Sequence, residues 1–216
     1  MTSPKHVVVA WPTGWEVSEL SRPEVAARYR FSYLPLPGMG RAHPDLATEV
    51  RGQLRLLRVE AFVQDTVDRL RNAPPDGVIG TEDHLGAILA ATIAEPLGLP
   101  APRPAAMLLC QHKHRSRLVQ AAYVPEATPW FARVDPRDLA REPAGVTFPC
   151  FAKPVRGSFS VFARRVEDLA DLRRLTDLGW RDRWFWNLRQ RPFEALLRRH
   201  TGSDDGSRCF LAEEFL

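Results

Sequence analysis

The residues of this 216-residue chain best suited to chemistry are its lysines. Of 30 basic side chains, only Lys5, Lys113 and Lys153 are lysine, and every other one is arginine. Surface charge is written as Arg, so the two interior lysines stand out as places for a compact ammonium, although chance alone could also leave them. Lys153 ends the short run Phe-Pro-Cys-Phe-Ala-Lys, and Pro154-Val155-Arg156-Gly157-Ser158-Phe159-Ser160 follows. A lysine at the end of a buried strand, with a Gly/Ser turn after it, suits a phosphate. Backbone N–H groups of the turn form an anion nest, the ammonium adds a point charge, and the hydroxyls add donors. The order is inverted relative to G-x-x-x-x-G-K-[ST] and no helix follows, so this is not a P-loop. A plain hairpin turn with a lysine reaching solvent fits the same residues.

Two further groups have the right types and spacing. Lys113 and Arg117 stand four apart on one face of an expected helix and repel slightly unless something anionic lies against them. A phosphate, a local carboxylate or solvent would each serve. The segment Leu211-Ala212-Glu213-Glu214-Phe215-Leu216 is an apolar strand carrying a glutamate into a free backbone edge. Such an edge can take a purine: the carboxylate accepts from the exocyclic amine, and backbone N–H and C=O match the ring. Solvated acids at a strand end fit as well. His112 and His114 have metal-ligand types but no third ligand nearby, whereas structural sites need about four.

Elements must position these groups. Residues 5–11 read as a buried strand, 30–36 as a second, and 77–80 as a third. Apolar residues recur with helical period over 45–71, closed by Asn-Ala-Pro-Pro-Asp-Gly. Thr81 can cap the following helix, with Glu82 and Asp83 in its first turn and its end near residue 97. Residues 98–104 hold three prolines and make the best linker. Beyond it come an apolar turn at 105–110, a helix over 112–122 and a strand over 130–134. A lysine hairpin follows, with strands 148–155 and 161–166, then a helix over 167–175 and a final strand from 209. The expected fold class is α/β: a small parallel α/β domain over 1–102, then an α+β lobe over 103–216.

Composition narrows the classes. Hydrophobic residues are 44% and charged residues 26%, which fits a folded globular chain. The longest uncharged apolar run spans residues 85–94, too short for a membrane helix of roughly 20 residues. No secretory signal is visible, so the cytoplasm is the expected location. Cys110, Cys150 and Cys209 are odd in number and widely spaced, which fits reduced thiols rather than a zinc ribbon or a disulfide framework. Six arginines stand against Asp182 and Glu194 over 180–199, a surplus equal to the whole chain's +4. The remainder is neutral, so a general nucleic-acid face is not expected. Neither G-x-G-x-x-G nor G-x-S-x-G occurs, which disfavours a dinucleotide fold and a nucleophile-elbow hydrolase.

In order along the chain, these segments resemble the ATP-grasp superfamily. GVIGTEDHLGAILAATIAEPLGLPAP is similar to the end of its preceding α/β domain. CQHKHRSRLVQAAYVPEATP is similar to the segment carrying its first lysine, FPCFAKPVRGSFSVFARRVEDL to its second-lysine strand and flexible loop, and FLAEEFL to its adenine-side hinge. The resemblance implies ATP and Mg2+ as cofactors and a ligase that activates a carboxylate as an acyl phosphate for an amine or thiol. It implies Lys113 and Lys153 on the phosphates and Gly157, Ser158 and Ser160 in the closing loop. It implies Glu213 at the adenine amine, with the backbone of Glu214 to Leu216 at the ring edge. The loop carries fewer glycines than the family's, and the family's magnesium ligands lie beyond the hinge, past residue 216. The chain is therefore expected to be the front part of a longer ligase, without turnover by itself; a homodimer stays open.

The segment Trp180-Arg-Asp-Arg-Trp-Phe-Trp-Asn-Leu, continuing past Pro192, sets an alternative. It is basic and aromatic, with Trp180, Trp184 and Leu188 at helical spacing, and a break is expected near Pro192. It could pack on its own domain, or serve a non-catalytic module that contacts a partner or an anionic membrane surface.

Overall fold

The computed structural model describes residues 3–12, 14–34, 54, 56–157 and 160–215. The chain divides into two compact units, Met1–Leu108 with Ala195–Gly202, and Leu109–Glu194 with Ser203–Leu216. The first contains β1 (Lys5–Ala10), α1 (Gly14–Leu20), α2 (Pro23–Ala26), β2 (Tyr29–Leu34), α3 (Val59–Arg71), β3 (Gly77–Ile79) and α4 (Gly86–Ala94). Its three strands form a parallel sheet in the order β2-β1-β3. The central strand β1 has a partner on each side, and its unbroken apolar run buries Val8, Val9 and Ala10. Helix α4 is apolar on all sides because it is buried on all sides, Ile88, Leu89, Ala91 and Ile93 included. Gly80 permits the close approach of its start: a Cβ there would lie 2.1 Å from the Gly86 carbonyl oxygen.

Local chemistry departs from expectation at this helix. Thr81 does not cap it; its hydroxyl donates to Glu16 Oε1 at 2.8 Å. Glu82 takes the capping role. One of its oxygens accepts the His84 N–H at 2.6 Å, and the other accepts those of Leu85 and Gly86 at 2.8 and 3.0 Å. A carboxylate satisfies several orphan donors where a hydroxyl satisfies one, and it also meets the positive end of the helix. Residues 45–53 of the expected long helix lie outside the described residues.

The division between units falls within α5 (Pro104–Gln111), a helix where an apolar turn was expected. Pro104 starts it, and Ala, Met and Leu propagate it. The second unit then holds α6 (Lys113–Tyr123), β4 (Phe131–Val134), β5 (Cys150–Pro154), β6 (Arg164–Val166), α7 (Leu169–Thr176), the first part of α8 (Trp180–Thr201) and β7 (Phe210–Glu214). Its four strands pair antiparallel in the order β4-β7-β5-β6. Strand alternation splits the side chains. Cys150, Ala152, Phe210 and Ala212 join Leu172 and Leu175 of α7 in one core, while Leu211 packs with Val155, Cys209 and Phe131 in another. Helix α8 continues through Pro192 without the expected break. Pro192 cannot donate to the preceding turn, at a cost of about 3 kcal/mol. The buried Leu188 and Phe193 flank it, and two such side chains contribute about 1.5–3 kcal/mol each.

Candidate functional site

The register of β5 on β7 sets Lys153 opposite Leu211 and Phe151 opposite Glu213. Lys153 and Glu213 are thus diagonal neighbours on one face, within reach of a long side chain. The Lys153 ammonium donates to Glu213 Oε1. The other carboxylate oxygen is taken by Arg117, whose Nε and Nη2 both lie 2.9 Å from Oε2. The carboxylate is largely enclosed, its side chain 9% exposed. Burial pushes the Glu213 carboxyl up, but the hydrogen bonds and charges of Lys153 and Arg117 outweigh it and hold it below the usual glutamate range.

Helix α6 brings the other lysine. The Lys113 backbone N–H donates to the Val155 carbonyl at 2.8 Å, and its ammonium donates to the Gly157 carbonyl, also at 2.8 Å. One residue therefore grips the segment after β5 twice. The start of α6 is fixed by His112, whose Nδ1 accepts the Arg115 N–H at 3.3 Å. That ring is fully buried, stacked on Phe193 and edge-on to His114. Burial pushes His112 down to about 4, with Asp205 opposing and His114 and Arg115 adding to the effect. Neutral His112 is what the cap requires, because a protonated Nδ1 cannot accept.

The segment after β5 has stems that are built in. Val155 N–H donates to the Cys209 carbonyl at 3.0 Å. Arg156 is buried, its guanidinium 3.9 Å from the Phe193 ring centroid and donating to Gln111 Oε1 at 2.5 Å. A Cβ on Gly157 would lie 3.4 Å from the Trp186 ring, and Trp186 meets Phe162 edge-on at 5.7 Å. Ser160 and Phe162 take left-handed backbone, with φ of 56° and 57°. Non-glycine residues do so only at a cost. These two residues thus take the backbone that glycine favours.

Of the expected site residues, Lys113, Lys153, Gly157 and Glu213 are joined by these bonds. Ser160 lies in the turn, exposed, and Glu214 is exposed at the end of β7, its N–H donating to the Trp130 carbonyl at 3.1 Å. Ser158 and Leu216 lie outside the described residues. Three contributors escaped the sequence reading. Phe151 shares the face of Lys153, with the ammonium 5.6 Å from its ring centroid and Phe215 stacked on it at 6.3 Å. Period-two alternation carried that signal. Arg156 and the carboxylate partner of Arg117 arise from tertiary pairing, which no local pattern encodes. Among the described residues no three His, Cys, Asp or Glu side chains gather in a way that could hold a metal ion, and His112 is spent as a cap. No described helix is long and apolar enough to cross a membrane.

The arrangement thus sets one ammonium on the Gly157 carbonyl and the other on the Glu213 carboxylate, and β7 is an interior strand, flanked by β4 and β5, rather than a free edge. No family model and no curated protein matches the chain. Solved structures do. An L-amino acid ligase from Bacillus licheniformis aligns over 100% of this chain and 47% of its own, at 20% identity and a TM-score of 0.59. The biotin carboxylase domain of the 2-oxoglutarate carboxylase from Hydrogenobacter thermophilus, a dimer crystallised with MgADP, ADP and bicarbonate, aligns over 100% of this chain and 45% of its own, at 14% identity and a TM-score of 0.50. The chain spans about half the length of these structures. At these identities the likeness shows the fold alone, and it is the ATP-grasp fold that the sequence resemblance implies.

Proposed function

We propose that residues 1–216 are the nucleotide-binding portion of an ATP-dependent ligase that joins a carboxylate to an amine or thiol. The observation that carries this reading is the hold of one helix, α6, on both halves of the site: Lys113 on Gly157 O at 2.8 Å and Arg117 on Glu213 at 2.9 Å, with Lys153 on the same carboxylate. When bound, ATP supplies the phosphoryl group that turns a carboxylate into an acyl phosphate open to attack. Lys113 and Lys153 neutralise its phosphates. Gly157, Ser158 and Ser160 close over them and exclude water. Glu213 accepts from the adenine amine with lone pairs that its two cations leave over, and the Glu214 carbonyl, with the backbone of Phe215 and Leu216, reads the ring edge. The described residues supply no acidic cluster for magnesium, so we assign its ligands to residues outside them. The expected activity of residues 1–216 alone is binding. Carboxylate and amine substrates, the full ligation, a homodimer and a cytoplasmic setting belong to the same proposal. Burial pushes the Cys150 thiol up to about 11 and leaves it unreactive, in keeping with reduced thiols.

A second reading rests on one observation. Trp180 and Trp184 are 74% and 53% exposed, although Leu188 and Phe193 of the same helix are buried. A basic aromatic surface of that kind fits a partner or an anionic membrane. Thermal unfolding with added MgADP, MgGDP or inorganic phosphate separates the readings. A shift with MgADP that Lys153→Ala abolishes supports the nucleotide site, since ligand at about 100 times its Kd adds about 2.7 kcal/mol. No shift at millimolar MgADP, together with sedimentation on anionic vesicles that Lys153→Ala leaves intact, would favour the second.

A further inference from the structure

We propose that Arg117 is a positioning residue of the nucleotide site, acting on Lys153 through Glu213; this rests on the nucleotide reading above. The two oxygens of Glu213 are divided. Oε1 accepts from the Lys153 ammonium, and Oε2 accepts the Arg117 Nε–H, with Nη2 of the same guanidinium also 2.9 Å from it. A carboxylate held at one oxygen only turns freely about its last torsion, which has a broad two-fold profile. The Arg117 guanidinium removes that freedom, because a rigid plane with one N–H donating and a second nitrogen equally close fixes the direction of the oxygen between them. The remaining oxygen then has one direction in which to hold Lys153, whose four-carbon stem would otherwise sample many.

Arg117 is itself braced from its own helix. Its Nη1 donates to Gln120 Oε1 at 2.5 Å, and Gln120 Nε2 donates to Ser116 Oγ at 3.4 Å. The brace, the fork and the carboxylate form a chain from α6 through β7 to β5. It also resolves the repulsion between Lys113 and Arg117 four residues apart: the anion beside Arg117 is Glu213, and Lys113 is turned to Gly157. Two cations share one carboxylate, so the trio keeps a net positive charge and an anionic phosphate remains welcome. The Arg117 side chain is 26% exposed, so its replacement is compatible with folding.

Calorimetric titration with MgADP, on the wild type and on Arg117→Ala, Arg117→Lys, Glu213→Gln and the Arg117→Ala/Glu213→Gln double variant, decides the matter. Arg117→Ala should weaken binding about tenfold, and Arg117→Lys, which keeps the charge without the planar fork, should recover only a minor part of it, with both variants melting near the wild type; full recovery by Lys would mean that charge alone suffices and would overturn the proposal. In the Glu213→Gln background, the loss from Arg117→Ala should shrink to less than about twofold. An equal loss in both backgrounds would mean that Arg117 acts by its charge alone and would overturn the proposal, as would no loss at all. Wild type that binds no MgADP would instead sink the nucleotide reading and this proposal with it.

Discussion

The two faces of the antiparallel sheet in the second unit are built from the same strands and do opposite work. On one face Cys150, Ala152, Phe210 and Ala212 close against Leu172 and Leu175. On the other, one residue along each strand, Phe151, Lys153 and Glu213 meet cations and rings from α6 and the end of β7. The sealed face fixes the register, and the register fixes which charges become diagonal neighbours. The charged face packs only a smaller cluster, Leu211 with Val155, Cys209 and Phe131, beside its ion pairs. If the proposed nucleotide site is right, folding and binding separate here by single-residue steps.

The largest effect should come from the sealed face. Ala152→Asp places an unpaired charge in a fully buried position and should cost more than about 4 kcal/mol, read as loss of the cooperative urea transition. Its neighbour should behave otherwise. Lys153→Ala should leave the urea midpoint nearly in place and weaken MgADP binding by about 100-fold, or ~2.7 kcal/mol. If both variants unfold the protein, the two faces are not separable.

Protonation probes the same contrast. His112 is held neutral in the fold, down to about 4 against an ordinary 6.5. Between those values the unfolded chain binds the proton and the folded chain does not, so stability should rise with pH across that window, by about 2 kcal/mol. His112→Asn keeps a capping acceptor and should flatten the slope in urea melts recorded from pH 4 to 7. The smallest effect belongs to Glu213. Its carboxyl lies below the usual 4.5, so its contribution is complete above that value and is lost as pH falls through the lowered one. Glu213→Gln should remove that acid loss, seen as a flatter stability curve below pH 4.5.

Legibility followed the range of the forces involved. Strands β1, β3 and β5 and helix α4 announce themselves by unbroken or alternating apolar runs, and the lysine-turn order stands in the sequence. Period and composition are local, so they are readable. The cap at Glu82, the course of α8 through Pro192 and the partner of Arg117 are decided by contacts between distant residues. The pair Arg117 and Glu213 is 96 residues apart, and nothing in either neighbourhood names the other. The left-handed backbone at Ser160 and Phe162 escaped for a related reason: the surrounding structure imposes it on residues that do not prefer it.

The central claim is that one nucleotide touches two lysines, and the composition makes that directly measurable. Lys5, Lys113 and Lys153 are the chain's only lysines, so amine acylation followed by mass spectrometry reads each one, with Lys5 as an internal reference. Saturating MgADP should slow the labelling of Lys113 and Lys153 several-fold and leave Lys5 unchanged. Labelling of Lys113 and Lys153 that MgADP does not alter, or that changes in step with Lys5, would contradict the account.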